Sequence, residues 1–211
     1  VLHKIPYRDD HEDPVALFEK ASEVGAKLVY LANPDNPMGT WLTGATLINA
    51  LKHLPDGCLL VLDEAYIDTA PTGTAPNIAI DDPRVIRMRT FSKAYGLAGA
   101  RVGYALGAPE LIGAFHKVRN HFGMGRVSLA GAQAALEDTD YLNETIEKIA
   151  HARTRIAKIA TMNGLRPIPS ATNFVTLDCG QDGTFAQKVL DELGTPGIFP
   201  RMPRSAEPRV G

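Results

Sequence analysis

Apolar residues recur along this chain in two rhythms. Short unbroken runs, Lys27 to Ala32 and Cys58 to Leu62, suit strands buried on both faces. Between them lie segments with apolar residues three and four apart, the period of a helix with one buried side. Asp13 followed by Pro14 is a helix start, and Val15, Leu17, Phe18 and Ala21 form the face predicted to pack inward, up to a stop at Gly25. Thr43 to His53 is the next predicted helix, and Asp63 ends the strand that follows it. Val1 to Tyr7, Arg84 to Thr90 and Val102 to Leu106 also have strand character. From Pro109 onward helices dominate: Pro109 to Lys117, Ser128 to Glu137, and a long charged helix from Tyr141 to Met162 with Ile146, Ile149, Ile156 and Ile159 along it. Asn163 and Gly164 form its predicted cap. Beyond them, strands at Asn173 to Leu177 and Gly197 to Phe199 flank a helix from Thr184 to Leu193.

Strand, helix, strand, with polar residues gathered where strands end, predicts an α/β fold: a predominantly parallel sheet flanked by helices, followed by part of a smaller α/β domain. The expected division is a large domain over residues 1–127, connecting helices over 128–163 and a partial small domain over 164–211.

Composition narrows the functional classes. The 211 residues are 45% hydrophobic and 22% charged, enough for a substantial core. A net charge of −2 offers no field for nucleic acid or an acidic membrane, so a small molecule is the expected partner. Runs such as Cys58 to Leu62 are too short to span a bilayer, and Cys58 and Cys179 sit apart in apolar surroundings, as buried free thiols do. A cytoplasmic setting is the expectation, with no metal site.

Chemistry concentrates in Thr90 to Tyr104. Lys93 lies among the hydroxyls of Thr90 and Ser92, with Arg101 eight residues on and glycines at 96, 99 and 103. Guanidinium and hydroxyls can converge on a bound anion while the amine stays free to react, the outline of a covalent-cofactor site. Two further segments precede it: Asn33-Pro34-Asp35-Asn36-Pro37-Met38-Gly39, a loop after a buried strand, and Asp63-Glu64-Ala65-Tyr66 at the end of another. Singly, each residue has an ordinary surface or capping explanation.

Together, and in this order, the three segments resemble those of the fold-type I, pyridoxal-phosphate-dependent aminotransferases of class I/II, most closely the histidinol-phosphate aminotransferase branch. The resemblance implies that Lys93 forms a Schiff base with the cofactor aldehyde and then moves a proton at the substrate α-carbon. It implies that Asp63 faces the pyridine nitrogen, that Tyr66 and Asn36 donate to the phenolic oxygen, and that Thr90, Ser92 and Arg101 hold the phosphate. Asn33 is expected to form the turn. Met38 stands where the family more often has threonine. Arg209 resembles the arginine that clamps the substrate carboxylate, although a solvated charge explains it as well. Asn120 and His121 are candidates for the substrate pocket, with capping and surface roles as alternatives.

The implied reaction is amino transfer between an amino acid and a 2-oxo acid, in a homodimer. The same cofactor core serves decarboxylases and lyases, and also non-catalytic sensor domains. A nucleotide hydrolase reading of Leu59 to Glu64 fails for want of a Gly-x-x-x-x-Gly-Lys-Ser/Thr loop. Family members are longer, and their N-terminal phosphate loop, ring-stacking aromatic and intersubunit tyrosine have no counterpart that can be assigned here, which leaves a piece of a longer protein as the expectation.

Overall fold

The computed structural model describes residues 1–120 and 122–202. A four-stranded sheet forms its centre, with β1 (Leu28–Ala32), β2 (Leu59–Asp63), β3 (Val85–Thr90) and β4 (Gly103–Leu106) side by side in that order. The first three are parallel, and β4 returns antiparallel to β3. Val29, Leu31, Leu60, Leu62 and Val85 point to one face, where α1 (Pro14–Val24) and α2 (Gly44–Ala50) cover them through Phe18, Ala21, Leu47 and Ala50. Register places alternate residues on the other face: Tyr30 stands opposite Val61, and Asp63 opposite Met88.

The helices begin where local chemistry favours it. Asp13 accepts a hydrogen bond from the Ala16 N–H at 3.1 Å, Thr43 from that of Thr46 at 3.1 Å, and Asp138 from that of Tyr141 at 3.0 Å. Each such cap contributes about 1 kcal/mol. Leu51–His53 tightens into a 3-10 turn after α2, so the predicted helix is present with a different final turn.

After β4 come α3 (Pro109–Phe115), α4 (Arg126–Glu137) and the long α5 (Thr139–Met162), capped at Asn163. Ile156 and Ile159 of α5 are exposed, while Ile146 and Ile149 are half-buried. Next is a two-stranded antiparallel ribbon of β5 (Arg166–Pro167) and β6 (Leu177–Asp178), then α6 (Gly183–Gly194). Both cysteines are buried and unpaired. No helix among the described residues is long and apolar enough to cross a membrane.

Three strand expectations are corrected. Val1 to Tyr7 is not a strand, because among the described residues no neighbouring backbone pairs with it, and Val1 and Leu2 are fully or largely exposed. Asn173 to Leu177 is reduced to β6: hydroxyls of Ser170 and Thr172 take the Phe174 carbonyl at 2.6 and 3.1 Å, a local alternative to ladder pairing. Gly197 to Phe199 instead terminates α6, with the Ile198 N–H donating to the Leu193 carbonyl at 3.0 Å and Gly197 at φ +86°.

Candidate active site

The parallel strands β1, β2 and β3 release their chains at the same edge, so the loops beginning at Asn33, Glu64 and Phe91 emerge together. They meet on one phenol. Asn36 Nδ2 donates to the Tyr66 hydroxyl at 3.1 Å, and Lys93 Nζ lies 4.9 Å from the centroid of the Tyr66 ring. Because the Tyr66 oxygen accepts from Asn36, its own proton is left for another acceptor. Phe174 meets the same ring edge to face, with centroids 5.4 Å apart. Lys93 is half-buried, and among the described residues its amine makes no hydrogen bond or ion pair.

The loop carrying Asn36 is fixed from within and from far along the chain. Asn33 is buried, donates to the Leu42 carbonyl at 3.0 Å and accepts from the Leu42 N–H at 2.8 Å, which is the turn-forming part expected of it. Asp35 accepts from the Met38 N–H at 3.1 Å. Gly39 has φ +81°, and a Cβ there would come within 2.7 Å of Ser170 Oγ, so glycine is required on two counts. The Ala171 N–H donates to the Gly39 carbonyl at 2.8 Å, and the Thr176 hydroxyl to the Pro37 carbonyl at 2.5 Å. Residues 171–176 thus clamp the loop. Arg153 of α5 reinforces the clamp through the carbonyls of Thr69 and Thr172, at 3.2 and 3.0 Å.

Asp63 ends β2 with both carboxylate oxygens engaged. Oδ1 accepts from the Ala65 N–H at 3.0 Å and Oδ2 from the Tyr30 hydroxyl at 2.5 Å. Around them the site is acidic. Glu12 accepts from the Ala32 N–H at 3.2 Å, and its pKa is pushed up to about 8 by burial, then by the charge of Asp35. Burial likewise raises Asp35, against hydrogen bonds from the Met38 N–H and the Tyr7 hydroxyl that favour its charged form. Burial, followed by the bond to Asp63, raises Tyr30 and keeps its phenol protonated.

Thr90 and Arg101 are brought to one end of the sheet by the antiparallel return of β4. Thr90 pairs with Gly103, and its hydroxyl donates to the Val102 carbonyl at 3.4 Å while accepting from the Ser92 N–H at 3.1 Å. A Cβ on Gly103 would approach the Arg89 carbonyl to 2.8 Å, so this close pairing depends on glycine. Arg101 is exposed and left-handed at φ +54°, and its Nη1 donates to the Ala98 carbonyl at 2.8 Å. Its guanidinium retains donors for an anion.

Sequence reasoning singled out Asn36, Asp63, Tyr66, Thr90, Ser92, Lys93 and Arg101, and all seven fall on this one edge. Arg209 and His121 lie outside the described residues. Tyr30, Phe174 and the Glu12–Asp35 pair were missed. Tyr30 had a signal, a phenol placed on the parity of its strand that faces away from the core. A cleft of about 430 Å³ is lined by Glu12 together with His11, Thr46 and His53, and none of the seven borders it.

The edge offers a free amine, two adjacent donors, a carboxylate and a hydroxyl–guanidinium cluster, a set suited to a planar ligand with an electrophilic carbon, an acceptor oxygen and an anionic arm. Comparison with known proteins points the same way. The family model for aminotransferase class I and II matches residues 2–205. Histidinol-phosphate aminotransferase 1 of Nitrosococcus oceani is 37% identical over 218 residues, covering 99% of this chain and 58% of that protein. The crystal structure of histidinol-phosphate aminotransferase from Sinorhizobium meliloti in complex with pyridoxal-5'-phosphate superposes with a TM-score of 0.95 at 51% identity, over 100% of this chain and 59% of that one. L-threonine-O-3-phosphate decarboxylase from Porphyromonas gingivalis shares the fold, with a TM-score of 0.67 at 20% identity. The chain therefore spans less than two thirds of the length of these relatives. On the family match and the similarity to these aminotransferases, it belongs to the class I and II aminotransferase family.

Proposed function

We propose that this chain is part of a pyridoxal-phosphate-dependent aminotransferase that moves an amino group between an amino acid and a 2-oxo acid. Histidinol phosphate is the leading amino donor, because relatives 37% and 51% identical to this chain are named histidinol-phosphate aminotransferases. The observation that carries the reading is the meeting of Asn36 and Lys93 on Tyr66, beside the strand end that bears Asp63.

Pyridoxal phosphate, when bound, supplies an aldehyde and an electron-withdrawing ring. Lys93 would hold that aldehyde carbon covalently and, once released, its amine would take the proton from the substrate α-carbon and deliver it to the former aldehyde carbon. Asp63 faces the ring nitrogen and favours its protonated form. Tyr66 and Asn36 donate to the phenolic oxygen, while Thr90, Ser92 and Arg101 bind the phosphate. Arg209 is assigned to the substrate carboxylate. The proposed organisation is a cofactor domain over residues 1–127, connecting helices over 128–163 and part of a small domain over 164–211, within a cytoplasmic homodimer.

Loading the full-length protein with pyridoxal phosphate, reducing with borohydride and mapping the modified peptide should place the label on Lys93. Incubation with an amino acid should release the 2-oxo acid and leave the cofactor as its amine. A label on a different lysine would overturn the assignment, and carbon dioxide release in place of amino transfer would overturn the reaction class.

A further inference from the structure

Tyr30 stands out among the exposed residues. It belongs to the strand Leu28–Ala32, otherwise Leu, Val and Ala, and 54% of it is exposed, so burial of its ring does not account for its position. Its hydroxyl nevertheless sits 2.5 Å from Asp63 Oδ2, across 33 residues of sequence. Register explains the reach. Tyr30 is level with Val61 on the next strand, and Asp63 is two residues further on the same face. With the Ala65 N–H on Oδ1, each carboxylate oxygen holds one donor, which fixes the plane of the group and leaves acceptor capacity for a third.

We propose that Tyr30 is a positioning residue for the cofactor: by holding the Asp63 carboxylate in one orientation, it sets how strongly Asp63 acts on the ring nitrogen. The inference rests on the cofactor reading above and adds a residue to it. A phenol is well matched to this place. It donates to an anion without adding charge, and burial, then the bond to Asp63 and that carboxylate's charge, keep its proton on. Phenylalanine would fill the same space and lose only the donor.

The test compares the full-length protein with Tyr30→Phe, Asp63→Asn and the double variant, all loaded with pyridoxal phosphate. Tyr30→Phe should keep the borohydride label on Lys93 and its thermal midpoint, while the pH midpoint of the bound cofactor's visible absorbance moves by about half a unit or more and kcat falls about tenfold. In the Asp63→Asn background the same substitution should change neither spectrum nor kcat further, since Tyr30 acts through Asp63. Unchanged spectra in Tyr30→Phe, or an equal effect with and without Asp63, would overturn the inference while the Lys93 label leaves the cofactor reading standing. Loss of that label from the unsubstituted protein would overturn both.

Discussion

Asp63 and Glu64 are consecutive carboxylates at the end of one strand, yet they serve opposite faces of the sheet. Glu64 is fully buried and takes Arg87 through two bonds, at 2.8 and 3.1 Å, and Arg89 through one at 2.9 Å. Its guanidinium partners share the parity of Val85 and face the same packed interior as Leu60 and Leu62. Burial works against the charge of Arg89, and the hydrogen bond it donates to Glu64, the charge of Glu64 and the pull of Tyr104 together more than offset it. Asp63 looks the other way, half-buried, with a phenol and a backbone N–H in place of cations. A saturated carboxylate with two arginines can only hold structure together. One met by neutral donors keeps its charge available to a ligand.

The comparison is sharpest in a pair of substitutions. Glu64→Gln should lower unfolding free energy by about 3–5 kcal/mol, because two guanidinium groups lose a buried anion, as urea denaturation would show. The folded fraction should still bind cofactor. Asp63→Asn should do the reverse, cutting turnover about a hundredfold while stability changes by less than about 1 kcal/mol. An inactive but stable Glu64→Gln, or an unfolded Asp63→Asn, would break the distinction between the faces.

A smaller effect comes from the acids near Tyr30. Glu12 has a folded pKa of about 8 against an ordinary value of 4.5, so above pH 4.5 the unfolded chain releases a proton that the folded chain keeps. Its contribution is therefore largest below about pH 4.5 and declines as pH rises towards 8. Stability should drop by about 1–3 kcal/mol between pH 5 and pH 8, and Glu12→Gln should flatten that slope. Denaturation midpoints across this range check the sign, and a rising curve would show that Glu12 is ionised in the folded protein.

Much of the sheet was legible because its causes are local. The Asp13–Pro14 start, the Gly25 stop and the apolar runs at Leu28–Ala32 and Leu59–Asp63 each carry their own signal. The segments at Val1 to Tyr7, Asn173 to Leu177 and Gly197 to Phe199 were not legible on the same grounds. Val1 to Tyr7 has strand composition, but a strand exists only where another backbone completes its hydrogen bonds. Hydroxyl-rich residues 170–174 likewise had local partners that the apolar pattern does not reveal.

The sequence alone determined which residues were chemically able to form the site: the lysine, the two loops ahead of it and the order in which strands deliver them. Tertiary structure decided which of those groups touch and which are kept apart. Nothing in the local pattern says that Asn36 bonds to Tyr66, that residues 171–176 brace its loop, or that Tyr30 reaches Asp63 from a strand away. Residue type sets what a side chain can do, whereas distance and desolvation, which depend on strand register and packing between remote segments, decide whether it does so.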